Sequence, residues 1–174
     1  MKLIALASVA ALTLVGAAIP AQAASTTTTC TALKAKVTKA AKSGKNAKAK
    51  RLKQKYRSCR SVASIRSQLA NYTFTGMRGD GQAVSITLCD SGAWSTQIGS
   101  RPVATNSGTT WLVRYPQYTS ASKWVTQVAD KPDRAQGGWS VGFARDGDAF
   151  QFGIASFDQV TSLGSVTRSA ATGC

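Results

Sequence analysis

The chain has no histidine and no glutamate, and its first carboxylate is Asp80. Each absence removes chemistry. Without histidine there is no Ser-His or Cys-His nucleophile pair, and the commonest general base is missing. Zinc loses its usual nitrogen ligand, and no C-x-x-C pair compensates for it. The seven aspartates mostly sit beside Gly, Ser, Lys or Pro in apparent turns, where solvation keeps a carboxylate ordinary. The sequence is therefore read as non-enzymatic, with no catalytic residue, metal or cofactor expected. Aromatic residues are also missing until Tyr56. Base stacking needs several of them, so sequence-specific recognition of nucleic acid is not expected.

What the chain does have is charge, unevenly placed. The 174 residues carry a net charge of +15. Thirteen basic residues lie between Lys34 and Arg66 with no acid among them, whereas residues 72–174 hold eight basic and seven acidic residues and are nearly neutral. A field of this kind concentrates anionic partners and drives salt-sensitive, largely non-specific attachment. A solvating helix normally interleaves Glu with Lys, and here nothing does.

The amino-terminal end reads as a secretory leader. Met1-Lys2 precedes an apolar run over residues 3–19, and Ala21-Gln22-Ala23 supplies the small-residue cleavage site. The run is broken by Gly16 and Pro20 and is short for a membrane span of about 20 residues. Residues 1–23 are expected to be removed and the product exported, extracellular or held at the cell surface. Export makes Cys30, Cys59, Cys89 and Cys174 candidates for two disulfides.

Within residues 24–71 a heptad seam appears twice. Cys30, Leu33, Val37, Ala40 and Gly44 are spaced 3, 4, 3, 4, and Ala49, Leu52, Tyr56, Cys59 and Ala63 repeat the spacing. Ser43-Gly44-Lys45-Asn46 between them has the residues of a helix stop and turn. Folding there brings Cys30 beside Cys59, so the segment is expected to be a helical hairpin, coiled-coil-like and closed by a disulfide. That bridge matters, because like-charged helices of about 14 residues with an alanine-rich seam are marginal in water. Closing a loop of this size contributes roughly 3 kcal/mol on the chain-entropy estimate.

From Tyr72 onward the pattern changes to short alternating runs separated by Gly, Asn, Asp and Ser. About eight strands follow at regular intervals, which indicates an antiparallel meander. The fold class is α+β: the hairpin of residues 24–71, then a small barrel over residues 72–174 that resembles lipocalin-like barrels in architecture, or else a β-sandwich. Cys89 at the end of the second strand is expected to pair with Cys174. Trp94, Trp111, Trp124 and Trp139 stand near four strand starts and are candidate aromatic ligand contacts or, more simply, barrel plugs. In a meander Trp94 should lie with Trp124, and Trp111 with Trp139. Arg78-Gly79-Asp80-Gly81 reads as a hairpin turn rather than an adhesion motif, and Asp146-Gly147-Asp148 as a turn rather than a calcium site.

These features describe a secreted, non-enzymatic binding protein. Its hairpin would attach to an anionic cell-envelope polymer or to membrane headgroups through Lys34, Lys39, Lys42, Lys48, Lys50, Lys53, Arg57 and Arg60, while the β domain carries a specific contact. The alternative is an exported effector or inhibitor whose β domain binds a protein partner and whose basic arm only steers or solubilises.

Overall fold

Ser43-Gly44-Lys45 ends the first helix as its residue types require. Gly44 takes a left-handed φ of 69°, which costs glycine little. The Gly44 amide donates to the Ala41 carbonyl at 3.1 Å and the Lys45 amide to that of Ala40 at 3.0 Å, the paired bonds of a Schellman stop. The structure, a computed structural model, describes residues 23–103, 110–132, 138–156 and 159–174, with side chains from residue 29 onward except those of 101–103. The expected leader, residues 1–23, lies outside the described residues but for Ala23.

Two helices, α1 (Ala23–Lys42) and α2 (Asn46–Leu69), form the hairpin. The Cys30–Cys59 disulfide closes it, with Cα atoms 5.6 Å apart. Between residues 29 and 60, only Cys30, Leu33, Val37, Ala40, Ala49, Leu52, Tyr56 and Cys59 are shielded from solvent. These are the heptad positions, while Gly44, the remaining seam residue in this span, is exposed in the turn.

Helix α2 continues past the hairpin and into the body of the protein. Ile65 and Leu69 are fully buried in the same core as Phe74, Leu88, Trp111 and Trp124. Burying two such side chains stabilises by on the order of 4 kcal/mol. The polar residues between them are used as well. The Ser64 hydroxyl lies 3.3 Å from that of Tyr118, and Gln68 Oε1 accepts from Trp124 Nε1 at 2.8 Å and from Arg145 Nη1 at 2.7 Å.

After Ala70 the chain turns through Asn71 at a φ of 64°, a left-handed conformation that Asn tolerates better than most residues. Its amide donates to the Leu88 carbonyl at 2.6 Å and its carbonyl accepts from Ala171 at 3.0 Å. Its Oδ1 also accepts from the Asp90 amide at 2.9 Å. The junction is therefore tied on three sides.

Among the described residues nine antiparallel strands follow: β1 (Tyr72–Met77), β2 (Ala83–Leu88), β3 (Trp94–Ile98), β4 (Arg101–Val103), β5 (Leu112–Ser120), β6 (Lys123–Ala129), β7 (Ser140–Asp146), β8 (Ala149–Ser156) and β9 (Gln159–Ala170). The strand beyond the expected eight is β4, whose three residues are too few to show a period. The sheet order is β4-β3-β2-β1-β9-β8-β7-β6-β5. Consecutive strands are neighbours except β4 and β5, which form the two edges, and the first strand also pairs with the last, Tyr72 opposite Ala170.

The sheet is curled, because side chains distant in this order meet inside it. Phe74 of β1 lies 5.2 Å from Phe143 of β7 between ring centroids, and Trp94 of β3 lies 4.8 Å from Trp139 just before β7. The second contact corrects the expected grouping of tryptophans. Alternating ends would hold for strands parallel to one axis, but coiling of the sheet swings the start of β3 against the start of β7. On another part of the sheet Gly142 stands directly opposite Gly153, and a Cβ on either would strike Val160 Cγ1 of β9. Their missing side chains let β9 close over β7 and β8. The carboxyl terminus is fastened by Cys89–Cys174, with Cα atoms 5.2 Å apart.

Two measurements check this account. Asn71→Ala should lower the unfolding free energy in urea by about 2 kcal/mol through backbone strain and a lost hydrogen bond. Asn71→Gly should lose less, because it keeps the left-handed turn. Replacing Cys30 and Cys59 by Ser should remove about 3 kcal/mol of stability and reduce the far-ultraviolet helical signal, while leaving the near-ultraviolet tryptophan bands of the sheet.

Candidate polyanion interface

The seam fixes where every cation points. A helix advances about 100° per residue, so a residue just before the first seam position of a heptad and one just after the second lie on opposite flanks of the hairpin. Lys36, Lys48 and Lys55 fall in the first group. Lys34, Lys53 and Arg60 fall in the second. Lys39 and Arg51 extend the first flank, and Lys50 and Arg57 the second. Lys42 occupies the outermost face of α1, and Lys45 caps the tip. All twelve are exposed.

On the first flank Lys36, Lys39, Lys45 and Lys48 surround a cleft of about 450 Å³ floored by Ala40 and Leu52. Helix α2 begins here with no acidic residue in its first turn and no side-chain cap at Lys45, so its amino-terminal dipole adds to the positive field. On the second flank Arg57, Arg60, Ser61 and Ser64 line a cleft of about 390 Å³ against Tyr118 of β5. Lys34, Tyr56 and Ser67 border the adjoining cleft, which shares Arg60 and Ser64.

The eight cations selected from the sequence are thus distributed rather than gathered. Lys39 and Lys48 are on the first flank, Lys34, Lys50, Lys53, Arg57 and Arg60 on the second, and Lys42 outside both. Lys36 and Lys45 were not among them, because only the antiparallel pairing of the helices brings both into one cleft with Lys39 and Lys48. Lys36 immediately before Val37 was the available signal. Tyr118 and Ser64 were out of reach, since the sequence separates them by 54 residues.

Arg66, the thirteenth cation of the stretch, has a different role. Its guanidinium stacks 4.0 Å over the Trp111 ring, and Nη1 donates to the Trp111 carbonyl at 2.9 Å. Burial lowers its pKa, and the negative charge of Asp90 opposes that shift. It joins helix to sheet.

Among the described residues the ion pairs all lie in the sheet: Arg78 with Asp80, Lys123 with Asp146, and Arg145 with Asp148. The two carboxylates weighed for calcium, Asp146 and Asp148, therefore face cations. Arg78 and Asp80 hold each other across a turn, at 2.6 Å between Nη2 and Oδ2, and Arg78 Nη2 also reaches Gln82 Oε1 at 2.7 Å. Asp133 and Asp158 lie outside the described residues. All four tryptophans are buried in the core, and Trp111 Nε1 donates to the Cys89 carbonyl at 2.7 Å.

The hydrogen bond from Arg78, assisted by the Gln82 amide, holds the Asp80 carboxyl below the ordinary aspartate range. A lowered folded pKa stabilises above the unfolded value of about 3.9 and is lost as pH falls through the folded one. Carboxyl NMR titration should show Asp80 with the lower midpoint in the wild type and a return towards 3.9, roughly, in Arg78→Gln. Equal midpoints would refute the pairing. No family model, curated protein or solved structure matches this chain.

Proposed function

We propose that the protein is an exported, non-enzymatic binding protein that attaches to an anionic polymer through its helical hairpin. One observation carries this reading: every residue between 29 and 60 that does not face the seam is exposed, and twelve of them are cations with no carboxylate in the segment. Packed charge of one sign destabilises the fold that bears it and is relieved by a polyanion. The two disulfides accord with an oxidising, extracellular setting, which fits the amino-terminal leader. An envelope polymer exposed outside the cell is the partner class that setting favours.

The sheet is the part that carries any specific contact. It is taken as an up-and-down barrel of lipocalin-like architecture, because pairing of β1 with β9 leaves consecutive strands, β4 and β5, as the two edges. Met77 and Leu163, 49% and 42% exposed, offer apolar surface on neighbouring strands β1 and β9.

The test uses the whole chain, since Ile65 and Leu69 belong to the core and removing the hairpin would open it. Binding to linear polyphosphate is measured across a salt series for the wild type and for a variant with Lys34, Lys48, Lys53 and Arg60 changed to Gln. Affinity should fall steeply with salt, and the log–log slope of the variant should be shallower by about 3, near 0.7 per cation on a single-stranded chain. A wild type with no affinity at low salt would leave the charge to solubility or steering.

A further inference from the structure

We propose that the hairpin holds two polyanion chains at once, one on each flank, and so bridges them. The inference rests on the polymer-binding reading above and adds a valence to it. The cations are divided evenly: five lie on the flank of Lys36 and five on that of Lys34, all exposed. The cleft ringed by Lys36, Lys39, Lys45 and Lys48 shares no residue with the one that holds Arg57 and Arg60, and the outer face of α1, where Lys34, Lys39 and Lys42 line a further cleft, runs between the flanks. A hairpin that laid itself on one flat anionic surface would use one flank and leave the other's charge unrelieved.

The geometry also permits double occupancy. The body of a helix is about 10–12 Å across, so chains on opposite flanks stand farther apart than the Debye length of about 8 Å at physiological salt. Their mutual repulsion is screened, while each chain touches its own row of cations directly. The flanks differ in chemistry. The first offers four ammonium groups, with Arg51 beyond its cleft, and the dipole of the α2 amino terminus. The second offers guanidinium forks next to the hydroxyls of Ser61, Ser64 and Tyr118, which suits a repeat unit with oxygens besides its charges.

The test measures valence with short polyphosphate chains, too short to wrap from one flank to the other. Sedimentation at physiological salt, where the repulsion between the chains is screened, should give complexes of one protein with two chains. Mixed donor- and acceptor-labelled chains should show energy transfer when protein is added. A first-flank variant with Lys36, Lys39, Lys48 and Lys55 changed to Gln should bind one chain and give no transfer. A second-flank variant with Lys34, Lys53, Arg57 and Arg60 changed to Gln should do the same. One chain per wild-type molecule without transfer overturns the bridge while leaving polymer binding intact. Loss of all binding in both variants also overturns it, because the surface is then continuous. No binding by the wild type overturns both readings. Should a variant fail to fold, the wild-type stoichiometry and transfer decide the matter.

Discussion

The structure depends on the place where helix α2 becomes strand β1. Asn71 turns left-handed there, and its backbone and side chain bind the end of β2, the turn after it and the residue beyond β9. Arg66 reaches over the same turn to the start of β5, and Cys174 is fastened to Cys89 beside it. Four distant segments of the chain are therefore held at one point. These contacts join a highly charged hairpin to a nearly neutral sheet.

The hairpin itself is a compromise between charge and packing. Its seam consists of alanine, leucine, valine, tyrosine and cystine, too little apolar surface to hold like-charged helices together at leisure. Two constraints offset the repulsion. The disulfide shrinks the unfolded ensemble, and the carboxyl-terminal turns of α2 gain burial in the sheet's core. Charge can then cover both flanks without carboxylates to neutralise it. Arg66 marks the boundary: three residues after Ala63 the cations stop serving solvent and begin serving the fold.

The sheet solves a separate problem. Its strand order would leave β4 and β5 far apart in a flat ribbon, yet Trp94 meets Trp139 and Phe74 meets Phe143 across it. Curling is permitted where side chains are absent, at Gly142 and Gly153, and rewarded where large aromatics fill the inside. The tryptophans are thus spent on the core. The hairpin, by contrast, has a single tyrosine and no acid, and its cations before Arg66 are exposed.

The sequence by itself determined the charge division, both disulfide pairings, the hairpin seam residue by residue, and the antiparallel meander. Most of these are local or nearly so: a period of seven, a glycine in a turn, alternation along a strand, cysteines equidistant from a bend. The Cys89–Cys174 pair, 85 residues apart, is what remains once Cys30 is assigned to Cys59. Only the tertiary structure decided that Ile65, Leu69 and Arg66 belong to the sheet's core, that Trp94 packs on Trp139, that a ninth strand is present, and that Lys36 and Lys45 share a cleft with Lys39 and Lys48. Those relations depend on how far the sheet coils and on which helix faces meet. Neither is written in any short stretch of chain, because both are set by the summed packing of residues far apart in sequence.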